Sequence, residues 1–555
     1  MRRLLWDTTL QPCEYPPFVR DIFFKESIKN RLTYTSWVGK ISKNYKKNLD
    51  WWLTAPPSRN PFVSQIHKYL SILSTLEKLK KKINFLEIKL ETRGIFSTLE
   101  IWSRKNNINL KLYLKQKQTK KISFILILNS IIFNIIIFLY IRLFVKKIDL
   151  KKKSFEKKII LVDVFQTLPY VNRNYYGIEK KLKDRSKELF YIPTFVIQKN
   201  LFYIFRIINS IKNKNYIFKE HYLDLNDIIF ASLHFSRKNK FKKKFPKYKS
   251  WDINNLINEE ISKSSDFSSA FISLLNYKFF QKINNKKIKI SKIINWFENQ
   301  TVDKGWNYGA RMFYPESQIL GYQGFTHYSQ YMNTIPTKYE EESKVLPKKI
   351  LTIGKAYKNL KKEFFKKANI SVAPALNYQF LFKNLNNKSN DNNNILVVLS
   401  GIEALDKKIL EWAYFFLKNK KNFKLKIKPH PILPIDLLLK GNLNKLRNKI
   451  SILSGNLSKA LINSHSVVCS GPTSATLESI AYNCFVIIPV LDPCDEINLK
   501  SIKIPKDLYC LVYSKIEFSK KLNEIMKKNK KNKKNNRLKK FLFEKLNEKN
   551  VKIFF

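Results

Sequence analysis

The sequence predicts an α/β chain with two parallel-sheet domains in series that face a cleft. Three observations predict it. From about residue 158 onward, short β-branched runs alternate with amphipathic helical stretches, the spacing expected of parallel sheets. Proline-marked crossings at Thr334-Ile335-Pro336-Thr337 and Leu346-Pro347 divide that run in two. A chain of 555 residues is too long for one core, and an apolar content of 44% supplies material for several.

Residues 1–115 read as a mixed segment. It holds a Pro-rich turn (Pro12, Pro16, Pro17), the pair Trp51-Trp52 and the run Ser58-Arg59-Asn60-Pro61. A helix is expected over roughly 62–90, where Ile, Leu and Phe recur at helical spacing. Trp51 and Trp52 fit an aromatic membrane anchor or core packing equally well. Met1 to Asp7 hold too short an apolar run for a signal peptide.

Residues 122–141 contain no charge. As a helix, such a stretch is about 30 Å long, enough for a bilayer core. Lysines crowd both flanks, at 115, 117, 120 and 121 and again at 146, 147 and 151–153. A spanning helix would separate residues 1–115 from 150–555. The segment 122–145 is therefore read as an in-plane or re-entrant membrane helix on the cytoplasmic face, with a buried core helix as the other reading.

The first α/β domain is placed at 155–336. Its strands are expected at 158–165, 227–233, 292–300 and 318–324, with helices between. The second is placed at 337–525, with strands at 350–354, 395–401, 424–431, 449–455, 467–474 and 485–492. Its helices are expected at about 406–418 and from Thr473 through Ala481. Residues 384–394 read as a solvated loop. The tail 526–555 is Lys-rich, and its lysine run 527–540 reads as solvated helix or disorder.

Composition narrows the function. Lys and Arg number 104 and Asp and Glu 43, a net charge of 104 − 43 = +61. Only about 15 of the basic residues are Arg. Base- and phosphate-reading surfaces lean on Arg, and no RNA-recognition, zinc-finger or P-loop pattern occurs, so no nucleic-acid partner is expected. The 5 Cys include no CxxC pair, which excludes a zinc ribbon and a disulfide scaffold. Cys469, Cys484 and Cys494 read as small buried apolar residues.

Ligands of open parallel sheets bind at the carboxyl ends of strands, and two motifs stand there. Lys428-Pro429-His430-Pro431 closes the strand 424–428, its prolines stiffening the turn. It presents an ammonium and an imidazole, both donors to a phosphate or a nucleobase carbonyl. Ser470-Gly471-Pro472-Thr473-Ser474 joins a strand to a helix that carries Glu478. Gly471 permits close backbone approach, and the hydroxyls and free helical N–H groups suit a phosphate. Packing of the turn by His430 and ordinary helix capping are the structural alternatives.

Together these motifs resemble the nucleotide-binding domain of GT-B glycosyltransferases, in particular bacterial capsule and surface-polysaccharide transferases of the sialyltransferase-like and CDP-glycerol-transferase-like kinds. Those place an HP turn about forty residues before a Ser/Thr-rich helix start, as His430 precedes Ser470–Thr473 here. Glu298-Asn299-Gln300, Trp306, Gly309, Arg311 and Gly321-Tyr322-Gln323-Gly324 are similar to a family of surface carbohydrate biosynthesis proteins. The resemblance covers roughly 290–500. It implies two Rossmann-like domains, the first on the acceptor side, and a donor nucleotide, perhaps CMP-linked, held by Lys428, His430, Ser470, Gly471, Thr473, Ser474 and Glu478. It further implies a nucleotide-sugar partner, a lipid-linked or polysaccharide acceptor such as capsule or O-antigen, no metal and no other cofactor. The expected location is the cytoplasmic face of the inner membrane, peripheral or held by a single helix.

An inverting transfer needs a base for the acceptor hydroxyl and positive groups for the departing phosphate. The paired-acid-Gly motif of polysialyltransferase-type enzymes is not found. Glu298, at the end of a strand facing the cleft, is the first candidate base and Asp163 the second. Asp492 and Glu496, after the strand 485–492, are candidates to hold a ribose. Arg311 is a candidate partner for an anionic substrate. Two alternatives remain open at this stage: a polyol-phosphate transferase of the CDP-glycerol type, and a non-enzymatic basic surface or nucleic-acid-binding protein.

Overall fold

A computed structural model describes residues 3–115, 120–156, 158–166, 175, 178, 181, 188–195, 200–263, 267–383, 394–418, 420, 423–469, 473–527 and 536–554. Its strands form three sheets, each wholly parallel. The smallest belongs to the N-terminal segment and pairs β1 (Arg3–Asp7), β2 (Phe85–Leu90) and β3 (Asn109–Leu114). The helix expected over 62–90 is thus two elements, a helix Ile66–Leu79 and the strand β2. Leu86, Ile88 and Leu90 are buried at every second position, the period of a strand with one covered face.

The second sheet runs β5-β4-β6-β7-β8-β9, where β4 is Ile160–Phe165, β5 Leu189–Thr194, β6 Lys292–Trp296, β7 Gln318–Gln323, β8 Lys349–Thr352 and β9 Ile370–Val372. Two expectations are corrected here. Residues 227–233 are not a strand; Leu225–Ser232 is a helix, opened by reciprocal bonds between Asp224 and Asp227. A four-residue cap of this kind commits the chain to a helix before its short apolar run can pair. The domain boundary at 336/337 also moves. β8 pairs with β7 from Leu320↔Lys349 to Gln323↔Thr352, so the crossing to the next sheet follows β9.

The third sheet runs β12-β11-β10-β13-β14-β15, with β10 Ile395–Val398, β11 Leu425–Lys428, β12 Ile450–Ile452, β13 Ser466–Cys469, β14 Phe485–Pro489 and β15 Tyr509–Val512. In chain order this is 3-2-1-4-5-6, the doubly wound arrangement whose direction of winding reverses between first and fourth strands. Cys469, Cys484 and Cys494 are buried, as expected.

The three units share cores. One continuous apolar cluster joins Trp6, Trp51 and Trp52 of the N-terminal segment to Phe271, Ile293 and Trp306 around the second sheet. Trp51 and Trp52 are core residues. A second cluster joins the second and third sheets and takes in Leu542, Phe543 and Phe554. The end of the chain therefore docks back: Glu544 N–H donates to the Ile353 carbonyl, and Ala375 N–H to the Glu544 carbonyl. Of the lysine run 527–540, residues 536–540 are described and are exposed or half-buried, as expected, while Leu542, Phe543 and Phe554 beyond it are buried in this core.

The apolar helix spans Lys120–Phe144. Ile127, Ile137, Phe138 and Ile141 face the protein and are buried. Arg142 donates from Nε to the Glu220 carbonyl at 3.1 Å, and Tyr140 stacks on Phe205 with centroids 4.0 Å apart. The opposite face, with Ile125, Leu128, Ile132, Leu139 and Leu143, is exposed. By length and composition alone, Ile127–Phe144 is apolar enough to cross a membrane.

Candidate functional site

At the reversal point of the third sheet, β10 ends in the turn Ser400-Gly401. Asp406, in the first turn of the helix Glu403–Leu417, holds it. The Asp406 carboxylate accepts from Ser400 N–H (2.7 Å), Ser400 Oγ (2.8 Å) and Gly401 N–H (2.8 Å). Burial pushes this carboxyl up in pKa, and those bonds and His430 oppose the push. Gly401 sits at φ +83°, in the left-handed region.

His430 lies over that turn. Its Nδ1 accepts from Ile432 N–H at 3.3 Å, which orients the ring on the Pro-Pro stiffened corner. Lys428 is the last residue of β11, its carbonyl accepting from Leu399 N–H at 3.1 Å. Both side chains are half-buried. Next to β10, β13 leads to Thr473 and Ser474, also half-buried, before the helix Ala475–Ala481. Thr473 Oγ1 accepts from Ala475 N–H at 3.3 Å. Ser470 and Gly471 lie outside the described residues. The structure thus brings Lys428, His430, Thr473 and Ser474 to one carboxyl edge. Glu478, in the helix that follows, hydrogen-bonds the Ser474 side chain from behind this group. It is 6% exposed, and its neighbours are Ser474, Tyr357, Tyr378 and Tyr482; burial raises its pKa.

The strand ends of the second sheet carry the other candidate residues. Glu298 follows β6 and is half-buried. Trp296 Nε1 donates to Glu298 Oε1 at 2.8 Å, and the Gln300 amide donates to its other oxygen. The backbone of this turn is held by Asp303, whose Oδ2 accepts from Glu298 N–H (3.1 Å) and Gln300 N–H (2.9 Å). Asn299, at φ +56°, points inward, donating to the Asn333 carbonyl (2.7 Å) and Glu340 Oε1 (3.0 Å).

Asp163 is corrected. It lies within β4 rather than at its end, is 3% exposed, and accepts from Thr194 Oγ1 at 2.8 Å. Burial pushes its pKa to about 6, but the group faces its sheet neighbour. Arg311 pairs with Glu341 at 2.9 Å. The close packing of Thr301–Phe313 on Phe267–Asn285 rests on Gly305, where a Cβ would fall 1.8 Å from the Ser273 carbonyl oxygen.

The loop after β14 repeats the device seen twice already. Asp495 Oδ2 accepts from Leu491 N–H (2.9 Å) and Asp492 N–H (2.8 Å). Three strand ends therefore carry a turn pinned by a buried carboxylate four to six residues downstream: Asp303, Asp406 and Asp495. The charges of Glu298 and Asp492 both act on Tyr331. Burial pushes that phenol well up, and Asp492 and Glu298 each add to the push. Burial also raises Asp492 to about 6, while Cys494 N–H, donating at 2.9 Å, opposes. Glu496 is exposed.

Ser400, Gly401, Asp406 and Tyr331 were missed from the sequence. A Gly closing an apolar strand, followed by Asp at the start of a helix, is a signal for the first three. Nothing local marks Tyr331. Among the described residues, no three His, Cys, Asp or Glu side chains are grouped to hold a metal ion.

No protein-family profile matches the chain, and no curated protein matches it. Solved structures are similar to it in architecture. TarM is 13% identical over 72% of this chain and 96% of its own, at a TM-score of 0.39. Acinetobacter baumannii MurG is 10% identical over 72% and 95%, at 0.36. A putative UDP-N-acetylglucosamine 2-epimerase from Listeria monocytogenes is 12% identical over 67% and 89%, at 0.38.

Proposed function

We propose that this chain is a glycosyltransferase that moves a sugar from a nucleotide-activated donor to a growing surface-polysaccharide acceptor. The observation that carries the reading is the seat of His430. Its ring lies on the Gly401 turn at the reversal point of a 3-2-1-4-5-6 sheet, with Lys428, Thr473 and Ser474 on the same edge. That edge suits a nucleotide phosphate: an imidazole, an ammonium and two hydroxyls converge where such sheets hold ligands.

In the reaction, a cleft carboxylate takes the proton of the acceptor hydroxyl as the acceptor oxygen bonds to the anomeric carbon. The sugar–phosphate bond breaks, and its electron pair stays on the nucleotide phosphate, where Lys428 and His430 offset the charge. Glu298 and Asp492 are the candidate carboxylates, and replacement of each by its amide separates them by kcat. Positive charge on the leaving phosphate comes from side chains, so the proposed reaction needs no metal. The exposed stripe Leu128, Ile132, Leu139 and Leu143, with lysines at 146, 147 and 151–153, supports an in-plane contact with an anionic membrane, on the cytoplasmic face.

Thermal unfolding with CMP, CDP, UDP, GDP and ADP tests the donor site. A ligand at a hundredfold excess over Kd adds about 2.7 kcal/mol to stability. One nucleotide should stabilise the protein and lose that effect in His430→Ala. A cytidine nucleotide would match the sialyltransferase-like resemblance, and UDP or GDP would replace it with another donor class. No stabilisation by any of the five would overturn the transferase reading.

A further inference from the structure

A second cavity lies where the N-terminal segment meets both large sheets. It has a volume of about 350 Å³. Its walls come from all three units: Ser27, Tyr34, Phe62 and Gln65 from the N-terminal segment, Gln330 and Tyr331 from the loop after β7, and Ile402, Leu405 and Asp492 from the third sheet. Ile402 is the residue after Gly401, so the cavity adjoins the donor edge.

The loop that divides the two sites is tied to both neighbouring units. Arg31 Nε donates to the Ser329 carbonyl at 3.0 Å, and Ser329 N–H donates to Asn498 Oδ1 at 2.9 Å. Gln330, the residue after Ser329, lines the cavity with both amide atoms buried and unpartnered. A buried amide without partners costs stability and marks a place where a ligand supplies them.

The chemistry of the walls selects the ligand. Every guanidinium and ammonium in them is already paired inside the protein. Arg31 forks onto Glu363 at 2.8 and 3.0 Å, Arg59 meets Glu340 at 2.8 Å, and Lys68 meets Glu91 at 3.7 Å. His67 bonds the Ser27 carbonyl at 3.1 Å, and burial pushes its pKa to about 4, leaving it neutral at pH 7. A phosphate or carboxylate ligand would find no unpaired cation here. What the cavity offers is the amide of Gln330, one oxygen of Asp492, hydroxyls, and the aromatic pair Phe62 and Tyr331 with centroids 5.7 Å apart. Phe62 is 72% exposed, so its ring is open to a ligand. Aromatic faces plus amides and a carboxylate suit the apolar ring faces and hydroxyl rims of sugars. The volume is at the small end of ligand pockets, about 300–1,000 Å³, which fits one or two rings.

We infer that this cavity is an acceptor subsite that seats a neutral sugar, its hydroxyls bonded by Gln330 and Asp492 and its ring laid on Phe62 and Tyr331. The inference rests on the transferase reading above and adds to it the acceptor's chemical class and the N-terminal segment's role. That segment supplies Phe62 and most of the cavity wall.

Saturation-transfer NMR on the full chain tests it. The probes are the methyl glycosides of glucose, galactose, N-acetylglucosamine and N-acetylgalactosamine, with glycerol 3-phosphate and methyl glucuronide as anionic counterparts. At least one neutral glycoside should receive saturation, and Phe62→Ala and Gln330→Ala should each weaken its binding about tenfold. Phe62 is exposed, so its truncation leaves the fold intact, and retained nucleotide stabilisation in both variants checks this. The inference is overturned if no neutral glycoside is contacted, if the signal survives both variants, or if the anionic probes bind more tightly. Nucleotide stabilisation without any glycoside signal removes the subsite alone; loss of both removes the transferase reading with it.

Discussion

The ring of His430 rests directly on Gly401: a Cβ built on Gly401 would lie 2.5 Å from His430 Nδ1. The two residues come from neighbouring strands, β11 and β10, and their contact sets where the imidazole points. Gly401→Ala adds a methyl into that contact and strains a φ of +83°. The variant should lose about 1–3 kcal/mol of stability and most of its nucleotide stabilisation. Thermal unfolding with and without the best nucleotide decides it, and unchanged nucleotide binding would separate His430 from the site.

Asp406 holds the same turn from below by accepting three bonds. Asp406→Ala leaves two backbone N–H groups without an acceptor, at a cost of about 1–3 kcal/mol each when buried. The expected variant is folded but less stable and weak in nucleotide binding. Asp406→Asn, which keeps one acceptor oxygen, should fall between it and the wild type in a urea titration.

Asp50 ties the N-terminal segment to the layer beside the second sheet. It accepts from His234 Nδ1 at 2.6 Å and from Arg237 Nε at 2.8 Å, with Asp50 9% and His234 2% exposed. Removing one member of a buried ionic cluster leaves the others uncompensated, about 3–5 kcal/mol. Asp50→Ala should therefore lower the unfolding midpoint sharply. Glu403→Ala, at an exposed pair with Lys407, should leave it nearly unchanged.

Acid should unfold the protein in two windows. The neutral His67 ring has its pKa lowered from 6.5 to about 4 by burial, so the unfolded chain binds the extra proton between these values. Stability is lost as pH falls from 6.5 through 4. Glu340 is lowered from 4.5 to about 2: burial opposes the shift, but Arg59 and Lys304 outweigh it. Its contribution, on the order of 3 kcal/mol, is present above 4.5 and is lost as pH falls toward 2. Denaturant titrations across this range should show Glu340→Gln flattening the lower window and His67→Asn the upper one.

The exposed stripe on Lys120–Phe144 should bind anionic vesicles. Leu128→Asn together with Leu139→Asn should abolish co-sedimentation with phosphatidylglycerol vesicles while leaving the unfolding temperature within a few degrees of wild type. Both side chains are about half exposed, at 46% and 48%, so neither replacement opens the core.

Much of this protein is written locally. Buried parallel strands show as continuous apolar runs, so β4, β6, β7, β10, β11, β13 and β14 were legible, and with them Lys428, His430, Thr473, Ser474 and Glu298 at strand ends. The run 227–233 misled because a short apolar stretch has no period that separates strand from buried helix; the cap at Asp224 and Asp227 decides it.

Local sequence marked most strands of the two large sheets by their apolar runs, several of the residues that close them, and one long apolar helix. Tertiary structure alone decided that β8 and β9 belong to the second sheet, that Asp163 is buried against Thr194, and that residues 542–554 dock back. It alone placed Gly401 under His430 and joined Arg31 to Glu363, 332 residues away. The reason is physical. Propensity and periodicity act within a few turns of chain, whereas strand order and long-range pairs follow from which apolar faces can be buried together at once.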